Sequence, residues 1–578
     1  MDLLPLVQKV QKGNGSFRFN GKVSACETGP FSICLYKNKE DLDGGRSLYN
    51  GKAEGYTLDV TPKNISISAK DYSGLYYGIQ TLNQLVEDND LLACMKITDF
   101  PDLSLRGIHF DLKGNLPTFD RMKAIIENMG AYKLNTILME YEDKFPYKSH
   151  PQVVSHLALT RKEIEELKKI AGYNAVQIIP LVQCAGHTEY ILKHKKYSGL
   201  MEDKRFINEF CLSDKRVVNI FKDLALEVME MHSDSKYFHV GADEAWHRGT
   251  CPKCKNAAKK KGLEQFYIDY VSGICDFINA AGKTPVIWDD CFRSASVSEL
   301  KKISKKAVLM YWKYGTDSYS GEAKQYPDLK LFKKAGVPLM GASAISGADG
   351  TTATCVNNTK RLENNLSWSQ VAKKNKMYGV VGTAWTRYAG LVPPAEALEV
   401  AWMPALAEAE FLWKTPKNNN FSDFNRRFVK RFYGSENEEI AKAHYLIAND
   451  NKKAFDAREI FTKNKSKVKK NADVLELMAV SAEIIEIKEH MKWVFEYGLD
   501  NDWYRNEYYV LWKQEKKDKI AKCLLLKKDI TRMMKKVEAV YSKFLKAPEA
   551  KEYVLARFAL EENKVNGYLQ FLKNKKAR

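Results

Sequence analysis

No stretch of the 578 residues comes near the roughly 20 uninterrupted apolar residues that a membrane-crossing helix needs, so membrane insertion is not expected. The opening MDLLPLVQKVQKGNG holds an apolar run too short for a secretory segment and shows no small-residue cleavage pattern. The expectation is a soluble, cytoplasmic protein; a secreted or periplasmic one would require a leader trimmed from this start. Cysteine is scattered: eleven residues, an odd number, without the dense spacing of a disulfide framework. Cys251 and Cys254, in CPKC, are the one close pair. A single pair supplies at most half of a zinc site, so a local turn, a disulfide and an incomplete metal site all stay open, and neither a metal nor a cofactor is expected. A helix-turn-helix, an aromatic-basic RNA motif and paired zinc fingers are also missing. The net charge of +19 is therefore not read as nucleic-acid binding. Its lysines are interleaved with acids on helix surfaces such as IEELKKI and ITRMMKKVEAV, a pattern that suits solubility or attraction of anionic glycans.

What is present divides into three parts. Residues 1–100 mix alternating runs (GYTLDVTPKNISISA) with one amphipathic helix (DYSGLYYGIQTLNQLVED), a small α+β domain. Across 101–410 short apolar runs alternate with helical stretches: LRGIHFDL, LNTILMEY, VQIIPLVQ, YFHVGAD, TPVIWDD, AVLMYW, VPLMGAS and YGVVGTAW. Strands alternating with helices imply a parallel sheet, and eight such units in this length imply a (β/α)8 TIM barrel. A doubly wound sheet is the competing α/β arrangement, but no Gly-rich phosphate loop follows the first run. From 411 to 578, long Lys/Glu-rich periodic segments read as an α-helical domain whose large apolar residues serve as core or docking surface.

Barrel active sites lie at the carboxyl ends of the strands. The runs carry Arg106 and Asp111 in the first, Asp143 after the second and His187 after the third. His239, Asp243 and Glu244 mark the fourth, Trp288, Asp289 and Asp290 the fifth, Trp312 and Tyr314 the sixth, and Trp385 and Arg387 the eighth. Three tryptophans on different strand ends can wall a sugar-sized box, since aromatic faces pack on the apolar face of a pyranose while acids and an Arg take its hydroxyls. Each residue has a plainer role available: a Trp in the core, His239 in the barrel wall, Asp290 as a helix cap.

HVGADE resembles the His-x-Gly-Gly-Asp-Glu signature of glycoside hydrolase family 20, the β-N-acetylhexosaminidases. HFDLKG, EYEDKFPY, IPLVQCAGH, VIWDD and WTRY are similar to its hexosaminidase D-like branch. The likeness spans about 105–390, and GLYYGIQTLNQL resembles the helix of the small domain that precedes the barrel in many members. It implies an exo-acting enzyme that removes terminal β-linked GlcNAc or GalNAc from an oligosaccharide or glycoconjugate with retention, using the substrate's 2-acetamido group as nucleophile. By that resemblance Glu244 is the general acid, with a raised pKa. Asp243 orients the acetamido group and Tyr314 donates to its oxygen. Arg106 grips hydroxyls, His187 and Asp143 support Glu244, and Trp288, Trp312 and Trp385 enclose the sugar; His239 and Asp289 complete the expected binding set.

Two departures stand out. Ala242 replaces the second Gly of the signature, a change read as needing room but no special chemistry. Arg387 stands where the family usually has a carboxylate for the sugar's outer hydroxyls; it either reads an acidic substituent or turns away to pair with a loop acid. The alternatives are a related amidosugar hydrolase or transglycosylase, which would differ in acceptor, and a non-catalytic glycan-binding barrel, which would not need a proton donor.

Overall fold

The structure is a computed structural model that describes residues 2–19, 23–38, 40, 49–315, 322–349, 355–387, 395–449, 453–493 and 513–576. Six strands open it: β1 (Lys9–Arg18), β2 (Ser24–Gly29), β3 (Ser32–Tyr36), β4 (Tyr56–Val60), β5 (Asn64–Ala69) and β6 (Leu91–Asp99). They form an antiparallel sheet in the order β1-β6-β4-β5-β3-β2. Alternation along β4 buries Tyr56, Leu58 and Val60, and the helix Tyr72–Asp88 lays Tyr77, Leu82 and Leu85 on that face. Asp71 caps this helix by accepting from the Gly74 N–H at 2.8 Å.

Eight parallel strands follow: β7 (Leu105–Asp111), β8 (Thr136–Glu140), β9 (Gln177–Leu181), β10 (Tyr237–His239), β11 (Thr284–Trp288), β12 (Val308–Trp312), β13 (Leu339–Ser346) and β14 (Gly379–Ala384). They close into a barrel in sequence order, with β14 returning to β7 through Val380 opposite Arg106. All eight apolar runs of the sequence become these strands. β7, β8 and β13 are buried at every position, as strands covered on both faces must be. Leu105, Leu138, Ile179, Val286, Met340 and Val381 fill the barrel interior. Between strands, sequence signals set the helix starts. Thr160 with Glu163 and Ser296 with Glu299 form capping boxes for Arg161–Tyr173 and Val297–Ser304.

The fully buried helix Trp402–Trp413 packs against β7 and β14, and helices from Phe421 to Asn574 complete the chain. The last long helices, Lys513–Tyr541 and Ala547–Asn574, pack on each other. They also reach the barrel: Thr118 N–H donates to Phe544 O at 2.9 Å, and buried Arg557 pairs with buried Glu396 at 2.7 Å.

Arg106 lies at the amino end of β7, opposite the mouth, which corrects its expected role in holding substrate. Its Nη1 pairs with Glu54 of the small domain at 2.7 Å and its Nε donates to Lys133 O at 2.8 Å. Its guanidinium sits 5.0 Å from the Trp413 ring. Nearby, Lys133 meets Asp99 at 2.8 Å, and Asp99 also accepts from Trp413 Nε1 at 2.9 Å. The small domain is thus joined to the barrel floor by buried charge. Removing one partner leaves the other buried and uncompensated, at a cost of about 3–5 kcal/mol. Arg106→Met should therefore lower the urea midpoint substantially while leaving kcat/KM of the folded enzyme nearly unchanged. A normal midpoint with a raised KM would return Arg106 to the sugar site.

Candidate active site

The carboxylate pair does not sit on a strand. β10 ends at His239, and the chain then passes through Gly241 (φ 69°), Ala242 (φ 72°) and Glu244 (φ 48°), all left-handed. Here the second signature glycine has a reason beyond room: glycine adopts positive φ freely, and an alanine there costs on the order of 1 kcal/mol. The expectation that Ala242 needs only space is corrected accordingly. A Cβ on Gly241 would overlap Gln183 Oε1, and one on Gly186 would overlap Asp243 O, so neither position accepts a side chain without movement. Hydrogen bonds fix the turn. Gly241 N–H donates to His239 Nδ1 at 3.0 Å, Trp288 N–H to Gly241 O at 2.9 Å, Tyr267 OH to Ala242 O at 2.9 Å and Glu244 N–H to Asp290 Oδ2 at 2.9 Å.

The turn delivers both carboxylates to one imidazole. His187 Nε2 lies 3.2 Å from Asp243 and 3.3 Å from Glu244. Burial works against charge on His187, but Asp243 and the contact to Glu244 outweigh it and carry its pKa well above 6.5. Glu244 is correspondingly lowered, chiefly by the His187 hydrogen bond and against partial burial. That reverses the expected rise: its side chain is 43% exposed, so the apolar walls desolvate it too little to prevail. Asp243 Oδ1 is buried and accepts no hydrogen bond among the described residues.

These groups open into a cavity of about 700 Å³. Its aromatic walls are Trp288, Trp312, Tyr314 and Trp385, the expected box. Trp288 and Trp385 have ring centroids 5.9 Å apart, Trp312 stacks on Tyr314 at 5.2 Å, and Trp385 Nε1 donates to Tyr314 OH at 3.0 Å. Burial pushes the Tyr314 hydroxyl far up, so it stays a donor. The acids among the residues lining this cavity are Asp243 and Glu244. A wider, more open cleft of about 1630 Å³ adjoins it, sharing Glu244, His187, Lys113 and Arg387 with the first. Glu244 lines both the aromatic box and the wider cleft.

Other expected residues lie elsewhere. Asp143 lines the open cleft and pairs with Lys144 at 2.7 Å and Lys193 at 3.1 Å, so lysine neighbours, not Glu244, take its charge. His239 is wholly buried beneath the box with its ring 4.7 Å from Trp288, and burial lowers its pKa to about 3; it shapes the floor as a neutral ring. Asp289 is held by Arg293 at 2.7 Å and accepts the Trp312 N–H at 2.9 Å, so it anchors β12 instead of lining the box. Its neighbour Asp290 holds the Glu244 backbone and reaches Trp312 Nε1 at 3.3 Å. Arg387 lines both cavities, and its guanidinium pairs with Glu552 of the helix Ala547–Asn574, an acid on a helix instead of the expected loop. Tyr388, which ends WTRY, lies outside the described residues.

Lys113 was not singled out in the sequence, although it sits in the HFDLKG run two residues past β7. Its Nζ lies 3.5 Å from Glu140, 3.7 Å from Asp111 and 4.9 Å from the Trp385 ring centroid, inside both cavities. Burial opposes its charge, but Asp111, Glu140, Glu142 and Asp243 hold its pKa well above the usual value.

An acid pair beside an aromatic box at a barrel mouth is the architecture of a carbohydrate-cleaving enzyme. The model of the glycosyl hydrolase family 20 catalytic domain matches residues 103–416, and that of the family's domain 2 matches 33–100. The chain belongs to glycosyl hydrolase family 20. It is 30% identical to hexosaminidase D of Bos taurus over 315 residues, 52% of this chain and 90% of that protein. It is 28% identical to hexosaminidase D of Homo sapiens over 320 residues, 52% and 64% of the two chains. Its fold is shared with a Flavobacterium johnsoniae chitobiase (TM-score 0.61, 18% identity, covering 100% of this chain and 94% of that one). A β-N-acetylhexosaminidase from Bacteroides fragilis also shares it (TM-score 0.54, 18% identity, 74% and 94%).

Because His187 has a folded pKa raised above about 6.5, the stability it contributes is fully present below that pH and is lost as pH rises through the raised value. The Tm advantage of wild type over His187→Gln should therefore be largest in mild acid and shrink on the alkaline side. A difference flat from acid to alkali would mean that His187 is not held as an imidazolium.

Proposed function

We propose that the chain is an exo-acting β-N-acetylhexosaminidase that cleaves with retention, the substrate's own 2-acetamido oxygen attacking the anomeric carbon. The observation that carries this reading is the placement of Glu244. Glu244 lines both the aromatic box and the wider cleft, where the bond between a seated terminal sugar and its leaving group would lie. Most retaining glycosidases set a second carboxylate about 5 Å across the sugar as nucleophile, family 20 being an exception. Here both lining acids come from adjacent residues and contact one imidazole, which supports division of labour on one side of the sugar. Asp243 Oδ1, unpartnered beside Tyr314 and Trp385, suits the acetamido N–H, and Tyr314 suits its oxygen. As the carbonyl oxygen closes on C1, Asp243 stabilises the positive charge of the oxazolinium. Glu244 protonates the departing oxygen and then, as carboxylate, activates water.

The lowered pKa of Glu244 is compatible with that duty. A seated sugar removes the water that now reaches nearly half of its side chain, and burial already acts upward on it. Proton sharing with His187 gives Glu244 a local source and sink. Arg387 and Lys113 stand at the rim in place of a carboxylate; Glu552 pairs with the first, and Asp111 and Glu140 flank the second.

The test is to compare aryl β-GlcNAc, β-GalNAc and β-glucoside, then vary the leaving group in two variants. The plain glucoside should be a poor substrate. Glu244→Gln should lose about 10²–10⁴-fold on poor leaving groups and less on activated aryl glycosides, whose departure needs little protonation. Asp243→Asn should lose activity on both. Equal leaving-group dependence in the two variants would exchange or dissolve these roles. Arg387→Ala should leave the kcat/KM ratio for 6-sulfated over unsulfated aryl GlcNAc unchanged, since Glu552 already pairs with the guanidinium through Nη2. A fall in that ratio would make Arg387 a reader of acidic substituents.

A further inference from the structure

Behind the open cleft, residues distant in sequence converge on the CPKC pair. Cys211 Sγ lies 3.4 Å from Cys251 Sγ and 3.7 Å from Cys254 Sγ, and a Glu202 carboxylate oxygen joins them, all four ligand atoms within 4.8 Å of one another. A tetrahedron with metal–sulfur bonds of about 2.3 Å has sulfur–sulfur edges of about 3.8 Å. The observed spacings are close to that without rearrangement. Glu202 is 3% exposed; its Oε1 accepts the Thr250 and Cys251 N–H groups at 2.7 and 2.9 Å, while its buried Oε2 faces the thiols and accepts from no N–H or O–H group among the described residues. A buried carboxylate oxygen facing three thiols, which are weak donors at best, is poorly compensated unless a cation meets it. Cys251 caps the helix Pro252–Lys261, its sulfur accepting the Cys254 N–H at 3.3 Å, so a backbone donor fixes where that sulfur points.

We propose that Glu202, Cys211, Cys251 and Cys254 bind one thiophilic divalent cation, zinc by ligand type, as a closed four-ligand structural site. On binding, the three thiols lose their protons to solvent and the ligand charge of the cluster is halved. The expectation of no metal gives way because two of the four ligands, Glu202 and Cys211, lie roughly 40–50 residues before the CPKC pair. The cation stitches two walls of the active site. Met201 pairs with Phe210 as an antiparallel bridge, so Glu202 and Cys211 mark the base of a hairpin whose tip, Arg205–Asn208, lines the open cleft. Cys251 follows Glu244 by seven residues, and between them the His247 N–H and ring both bond Glu209 of the hairpin, at 2.8 and 2.7 Å. Metal binding thereby fixes the cleft wall against the segment carrying Glu244.

The test is elemental analysis of the full chain purified under reducing conditions from zinc-supplemented medium, with cobalt(II) titration of the metal-depleted wild type. One equivalent of zinc, a thiolate-to-cobalt charge-transfer band with tetrahedral visible bands, and a Tm that falls on metal removal are expected. Cys211→Ser and Cys254→Ser should each bind about tenfold less metal or worse. Substoichiometric zinc with no charge-transfer band in reduced wild type would overturn the site, as would a Cys211–Cys251 disulfide found by mass spectrometry in the purified protein. Metal retained in full by both serine variants would overturn the ligand assignment. None of these readouts depends on the sugar chemistry, so failure of this proposal and failure of the hexosaminidase reading are separate events.

Discussion

Two consecutive carboxylates must face one mouth, and a strand cannot do this. Successive residues of a strand point to opposite faces, so a longer β10 would have turned either Asp243 or Glu244 into the surrounding helices. The chain instead abandons the strand at His239 and runs three residues of the next five in left-handed conformations. Two of the three carry a Cβ, and such strain persists only where neighbours over-determine the backbone. They do here: Tyr267 holds Ala242 O, Trp288 holds Gly241 O and Asp290 holds Glu244 N–H. The box, the imidazole bridge and the cleft boundary all follow from that turn, because His187 can touch both acids only if both leave the same side of the chain.

Around this turn the charges are arranged in opposed layers. His187 and Lys113 hold the positive charge at the mouth, and the carboxylates beneath them are bound to protein partners. Below, burial and the Asp243 charge push Asp290 up to about 6, and burial together with Asp290 pushes Asp289 to about 7 despite Arg293. Both acids are thus driven in the same upward direction by burial and like-charge repulsion. They also tie β11 to β12 through Trp312, so the same groups that shape the field position an aromatic wall.

Barrel architecture was legible because fully buried parallel strands leave continuous apolar runs, and each of the eight runs became a strand. The pair, the box and His187 were legible as strand-end residues and from the family signature. Arg106 was misplaced although strand geometry excludes it: five residues at about 3.3 Å each separate it from Asp111 at the other end of β7, so it belongs to the opposite barrel face. There the resemblance overrode a simple rise per residue. Asp289 was read into the binding set and Asp290 as a helix cap, yet it is Asp290 that reaches the Glu244 backbone, since which of two neighbours faces inward depends on where β11 ends. Lys113 and the Glu202–Cys211–Cys251–Cys254 cluster were missed for different reasons. Lys113 sits within an acidic setting assembled from other strands, and the cluster joins residues whose proximity is created only by a hairpin and a loop.

The rim shows where family membership stops being informative. The match to the catalytic domain ends at 416, yet the cation that departs from the family pattern, Arg387, pairs with Glu552. That acid belongs to a helix fastened to the barrel by the buried Arg557–Glu396 pair. A guanidinium without that helix would present unpaired positive charge to both cavities; with it, Nη2 is paired with Glu552. The chemistry at C1 is therefore a property of the barrel and its turn after β10. The charge at the rim depends also on a helix that the matched catalytic domain does not cover, because the acid that pairs with Arg387 comes from it.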